Sequence, residues 1–410
     1  MHYSPFLGGR EPSVWGYDTN GALLDSLLAQ LVREDPDPPV VVIAGDFLAH
    51  GFPLAKAGAT MAYLAKRFDA TFPHAQFVIT LGNNDSDCGD YESVLDGPFL
   101  HAVARAWEPL VNRHGTAPGF ARTFSHDGGY TATLPVPHRR AVVINDIYQT
   151  VRYRNRCGSG NPAATSLGDL EGALRGGPPD ERAWIVMHVP PGIDAYSTAH
   201  LGHHLFIVPF MRPEARERLV DAIDDPRSRV SLLIAGHTHH FAFRLTDAKH
   251  PARNVPILVA PSVSPIFGNS PSYLTLDVDA AGDVGNVAET SYVAGRWQRT
   301  GDLASEGVAS FTAPALVEYE ARLEANPALV ERYKHLYSGG AASEISPRNY
   351  RMYWCAATAL SAEDAETCTR SGGISVFTGR ALVLAGVVAL LAAFAVFAIV
   401  RAIRRRRRAV

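Results

Sequence analysis

Five short apolar runs recur along the chain, and each is followed at once by a polar residue suited to binding a metal or a phosphate. Val40 to Ala44 leads into Gly45-Asp46, and Phe77 to Leu81 into Gly82-Asn83-Asn84-Asp85. Ala141 to Ile144 leads into Asn145-Asp146, Ala183 to Met187 into His188, and Val230 to Ile234 into Ala235-Gly236-His237-Thr238-His239-His240. Runs this short, bounded by polar residues, read as buried strands. Between them lie helical periodicities: Leu23 to Val32, Pro53 to Phe68, Tyr91 to Val111, Leu167 to Leu174 and Pro213 to Ile223. Strands alternating with helices predict an α/β domain. In such sheets ligands bind at the carboxyl ends of the strands. One polar residue at such an end usually only caps a turn. Five in succession predict a site.

Further along, Ile257 to Ala260 and Ser272 to Val278 read as strands, and Pro314 to Tyr337 as one long amphipathic helix. The chain therefore divides into a catalytic domain over residues 1–300, a helical C-terminal subdomain over 301–370 and a short linker over 371–380. Ala381 to Val400 is 20 residues without a charge, amide or hydroxyl. At about 1.5 Å per residue it spans the roughly 30 Å hydrocarbon core of a bilayer. Arg401 and the run Arg404 to Arg408 follow it, so the positive-inside rule predicts a cytoplasmic tail over 401–410 and puts residues 1–380 outside the cytoplasm.

Six of the 38 basic residues lie in that tail, leaving 32 in residues 1–400 against all 41 acidic ones. The body is mildly acidic, and no nucleic-acid-binding surface is indicated. Cys88, Cys157, Cys355 and Cys368 fit an exported chain with two disulfides, for which Cys88–Cys157 and Cys355–Cys368 is the favoured pairing. Met1 to Pro5 show neither the basic start nor the apolar run of a signal peptide. That sits uneasily with export.

In order, the chemistry-bearing set is His2, Gly45-Asp46, Gly82-Asn83-Asn84-Asp85, His188-Val189-Pro190-Pro191-Gly192 and Gly236-His237-Thr238-His239. Carboxylate, amide oxygen and imidazole suit divalent ions such as Zn, Mn or Fe. The set resembles the calcineurin-like metallophosphoesterases, and within them the acid-sphingomyelinase and endopolyphosphatase branch. The resemblance implies a four-layer αββα sandwich with a helical C-terminal extension, here followed by the single transmembrane helix. It also implies two divalent ions. His2 and His239 would ligate the first, Asn83, His188 and His237 the second, and Asp46 both.

Two departures bear on chemistry. The family opens on Asp-x-His, and that Asp would fall one place before Met1. Two readings follow: a chain that begins late, or a first metal shell one carboxylate short. Second, Asn84 stands where the family carries a general-acid His, and an amide cannot transfer a proton at accessible pKa. His50, four residues after Asp46, matches a second active-site His of the branch and is the candidate acid. Asp85 is expected to orient Asn84 or a bound water, or else to cap the next helix. Asn145 and Tyr148 are candidate phosphate contacts, and His203 and His204 candidate cleft residues. The function implied is a membrane-anchored, extracytoplasmic phosphoesterase that hydrolyses phosphodiester or phosphoanhydride bonds with metal-activated hydroxide. A leaving phosphate needs less protonation than an alkoxide, which favours anhydrides, polyphosphate or activated diesters. The alternatives are a phosphomonoesterase and a decayed phosphoesterase fold acting as a membrane binding protein.

Overall fold

The structure, a computed structural model, describes residues 1–200, 207–246, 254–347 and 349–370. The strands are β1 (Val40–Ala44), β2 (Gln76–Thr80), β3 (Tyr130–Thr133), β4 (Arg139–Val143), β5 (Arg182–Val186) and β6 (Val230–Ala235). They continue with β7 (Ala242–Leu245), β8 (Pro256–Val259), β9 (Ser272–Val278), β10 (Val284–Val293) and β11 (Arg296–Asp302). Six of them form one sheet in the order β3-β4-β5-β6-β8-β7, parallel at its centre and antiparallel at both edges.

Side chains alternate across a strand, so each central strand serves two cores. Val143, Trp184, Val186, Leu232, Ile234 and Leu258 face one apolar core with Phe77, Ile79, Met61, Phe68 and Trp107. Their neighbours Val142, Ile185, Leu233 and Ile257 face a second core with Leu167, Leu170, Leu174, Leu219 and Ile223, from the helices Pro162–Arg175 and Pro213–Asp224. The layers are thus helix, sheet, sheet, helix. Burying both faces explains why these runs read as continuously apolar.

The second sheet comes in two pieces. Among the described residues β1 pairs only with β2, and β9 only with β10. Residues of β1 and β9 line a common cavity of about 550 Å³, and the all-apolar β1 stays half-buried beside it.

Two helical expectations are corrected. Pro314 to Tyr337 is not continuous: the helix Ala313–Ala325 ends at Asn326, and Pro327–Tyr337 begins anew. The residue before proline is disfavoured in the helical region. Asn326 is extended, with φ −134° and ψ 98°, and its side chain caps the second helix. Tyr91 to Val111 is helical only from Pro98, since Tyr91 and Asp96 take positive φ. The C-terminal segment forms the helices Tyr350–Thr358 and Ala362–Arg370, joined by Cys355–Cys368. Cys88–Cys157 is the other disulfide. Among the described residues no helix is long and apolar enough to cross a membrane. The expected span 381–400 lies outside them.

Candidate metal centre

Each predicted ligand except His2 sits just past a strand end, where a turn frees the side chain from the ladder. Gly45 (φ +83°) and Asp46 (φ +53°) turn the chain after β1. A Cβ on Gly45 would lie 2.6 Å from the Gly82 nitrogen, so only glycine lets the two loops approach. His237 and His239, after β6, also take positive φ, and both imidazoles turn toward the same edge. His2 is carried beside β1's exit by the parallel bridge Tyr3 to Leu48.

Asp46 is the hub. Its Oδ2 lies 3.1 Å from Nε2 of His2 and 3.1 Å from Nε2 of His188. Its Oδ1 accepts from the Asn84 backbone nitrogen at 2.9 Å and from Asn84 Nδ2 at 3.3 Å. His188 Nδ1 donates to the Ala44 carbonyl at 2.6 Å, which leaves Nε2 for Asp46 and, at 3.2 Å, for Asn83 Oδ1. Asn83 Nδ2 donates to Asp90 at 2.7 Å, fixing the amide with its oxygen inward. His2 Nδ1 lies 3.2 Å from the Leu48 carbonyl, and its Nε2 meets His239 Nε2 at 2.8 Å. His239 Nδ1 is buried without a partner.

Burial disfavours the Asp46 carboxylate, but the facing His188 and His2 outweigh it and hold its pKa well below the ordinary range. Burial pushes His188 down, yet Asp46 more than reverses this, to about 9. Burial lowers His237 to about 3, with His188 adding to the effect. Burial and then His2 push His239 well down.

A pair of divalent ions fits this donor set. With Nδ1 of both His2 and His188 turned to backbone carbonyls, their Nε2 lone pairs, Asp46 Oδ2 and Asn83 Oδ1 point at one another. Converging acceptors need protons or cations between them. An imidazole whose other nitrogen donates to a backbone carbonyl is the usual ligand arrangement. Candidate ligand atoms of His2, His50 and His239 lie within 4.8 Å of one another, as do those of Asp46, His188 and His237.

The remaining expected residues divide. His50 reaches the centre: its ring stacks on His2 with centroids 4.3 Å apart, and its Nδ1 lies 3.1 Å from both Asp18 oxygens. Burial lowers its pKa, but Asp18 more than compensates, so the net shift is upward. Asp85 braces the centre rather than facing it, because its two oxygens accept from the backbone nitrogens of Leu48 (2.9 Å) and Gly82 (2.8 Å). Asn145 and Tyr148 do not line the cleft, correcting that expectation: both are fully buried, and both hydrogen-bond to Ser93 Oγ. They follow β4 into the interior, where a strand-end polar residue serves packing. His203 and His204 lie outside the described residues.

Three contributors carry no local motif. Asp18 ends a Gly/Pro-rich loop and holds His50. Tyr91 places its hydroxyl 3.1 Å from His237 Nε2, and Asp146 accepts from the backbone nitrogens of His188 and Val189 at 2.7 and 2.9 Å. Only Asp146, directly after a strand, had a readable signal.

A family model described as Calcineurin-like phosphoesterase matches residues 1–241. Sphingomyelinase phosphodiesterase D of Dictyostelium discoideum is 21% identical over 271 residues, covering 65% of this chain and 58% of that protein. Sphingomyelinase phosphodiesterase C of the same organism is 24% identical over 251 residues, covering 59% and 52%. The chain thus spans little more than half the length of these curated relatives. The solved structure titled "Structure of PhoD" superposes with a TM-score of 0.36 at 13% identity, over 67% of this chain and 68% of that one. Since the family model takes in more than half of its length, this chain belongs to the calcineurin-like phosphoesterase family.

Proposed function

We propose that the protein is a dinuclear-metal phosphoesterase that cleaves phosphodiester or phosphoanhydride bonds. One observation carries the reading: a buried carboxylate, Asp46, belongs with His188 and His237 to one cluster of candidate metal ligands and lies 3.1 Å from His2 of a second, with His50 and His239. Divalent ions held by these residues would supply a nucleophile at neutral pH and neutralise the charge that builds on phosphorus oxygens. His2 and His239 would hold one ion and Asn83, His188 and His237 the other, with the Asp46 carboxylate available to both. Asn84, fixed on Asp46 through its backbone and side-chain nitrogens, is a donor for phosphoryl oxygen. His50 has Nδ1 committed to Asp18, so Nε2 is free to protonate the leaving oxygen. The names of the two Dictyostelium relatives favour a phosphodiester substrate.

The apolar run 381–400 and its six following arginines support a membrane anchor, with the catalytic part outside the cytoplasm. The two disulfides agree with that side of the membrane.

The test is turnover of bis-p-nitrophenyl phosphate by the full chain supplied with Mn or Zn. Release of p-nitrophenol that chelation abolishes and metal restores is expected. A folded protein that releases none with either ion contradicts the reading.

A further inference from the structure

Beside the metal centre a second cavity of about 250 Å³ runs from His237 to the C-terminal helices. Phe210 stands next to His237, with ring centroids 5.4 Å apart, and the Arg244 guanidinium lies 5.5 Å from the other end of that contact, over the Phe210 ring. Tyr333, Tyr337 and Tyr353 line the far wall. The hydroxyls of Tyr337 and Tyr353 donate to Glu344 at 2.9 and 3.0 Å, so what they offer the cavity is ring surface.

The charges in this cavity are unbalanced. Arg244 is 4% exposed and, among the described residues, donates only to the carbonyls of Ile193 (2.8 Å) and Ala356 (3.3 Å), with no partner for Nε. No carboxylate of the described residues forms an ion pair with it. A buried cation with no direct ion pair is costly, and the Asp194 charge offsets only part of what burial takes from Arg244, which leaves room for a further anion or strong acceptor. Arg152, exposed at the mouth, has no ion pair among the described residues either. It lies 4.9 Å over the Tyr91 ring, with Nη1 3.4 Å from the Tyr91 hydroxyl that contacts His237. The one carboxylate in the lining, Asp194, accepts from Ser197 through its backbone nitrogen at 2.8 Å and Oγ at 2.6 Å and keeps its charge, so the lining sets two guanidiniums against one anion.

We infer that this cavity is the subsite for the group beyond the scissile phosphate, and that it selects a flat group that is uncharged or anionic over a quaternary ammonium. The inference rests on the phosphoesterase reading. Aromatic walls alone would attract an ammonium. Two guanidiniums against the one carboxylate reverse that preference, since a like charge placed beside the buried Arg244 costs more than a ring face returns. Arg152 at the mouth holds a non-bridging phosphoryl oxygen, and Arg244 at the floor takes an acceptor atom of the distal group. Both are specificity-determining residues.

The experiment pairs turnover with binding. Turnover compares bis-p-nitrophenyl phosphate with p-nitrophenyl phosphorylcholine. Binding, by calorimetry on the Mn-loaded full chain, compares 2-phenylethylphosphonate with 2-trimethylammonioethylphosphonate, neither of which has an ester to cleave. In the wild type, kcat/KM for the bis-aryl diester is expected to exceed that for the choline diester at least tenfold, with binding in the same order. R152Q and R244Q are each expected to shrink both ratios severalfold. Because Arg152 is exposed, R152Q stays informative should R244Q fail to fold. Equal or reversed preference in the wild type, or ratios that R152Q leaves unchanged, overturns the inference while leaving the phosphoesterase reading standing. Arginine-dependent preference in binding without any turnover supports the subsite and overturns the catalytic reading. Neither turnover nor binding overturns both.

Discussion

At the scale of single residues, the centre is governed by which nitrogen of each histidine is already committed. His2 and His188 spend Nδ1 on backbone carbonyls, and His50 spends Nδ1 on Asp18. Each therefore presents Nε2. The Asp18–His50 pair sets a pH dependence. Asp18 raises the His50 pKa above its ordinary value, so the imidazolium persists to higher pH and the alkaline limb of kcat/KM lies correspondingly high. Asp18→Asn removes the charge that raises it, and the alkaline limb is expected to move to lower pH with the acid limb in place. His50→Gln is expected to lower kcat about 10²-fold and to flatten that limb. An Asp18→Asn profile that superposes on the wild type contradicts the assignment. Asp18 was not legible in the sequence, because nothing in a Gly/Pro-rich loop says which side chain it will meet 32 residues later. His50, by contrast, stands at a fixed step from Asp46. Asn145 and Tyr148 misled for a related reason: the end of a strand is visible in a sequence, but whether the next residue turns to the cleft or to the core is not.

At the scale of elements, the central strands were readable because burial on both faces leaves continuous apolar runs. β1, β2, β4, β5, β6, β8 and β9 stand where the expected runs lie, within a residue or two. The missed β3, β7, β10 and β11 are edge or mixed-polarity strands. β10 carries the clearest energetic signature. Glu289 on that strand is fully buried, has an unpartnered Oε1 and is neighboured only by hydroxyls such as that of Thr300. Burial pushes its carboxyl up to about 8, from 4.5. Below about pH 4.5 the group is protonated in folded and unfolded chains alike and costs nothing. As pH rises toward 8 the unfolded chain releases the proton first, so stability is lost across that window. Glu289→Gln cannot ionise and escapes the loss. Its stability relative to the wild type is expected to grow by on the order of 1–3 kcal/mol between pH 5 and 8, read from urea denaturation at each pH. A difference independent of pH contradicts a buried, protonated Glu289.

At the scale of the molecule, the fold brings loops from β1, β2, β5 and β6 to one edge and closes the site's far side with C-terminal helices. That closure explains why residues over 300 positions apart in sequence, His2 and those lining the second cavity such as Tyr337, serve neighbouring chemistry. The side chains that converge at the strand ends were legible from motif order; the cavity was not, since its walls come from seven separate segments without a motif. The central claim is that Asp46 organises two metal ions. Its most direct test is metal analysis of the full chain equilibrated with Mn or Zn and freed of excess ion, wild type beside Asp46→Asn. Two ions per wild-type chain are expected, with at most one in the variant and kcat/KM for bis-p-nitrophenyl phosphate lower by at least about 10²-fold. A wild type that retains no ion, or a variant that retains as many as the wild type, would contradict it.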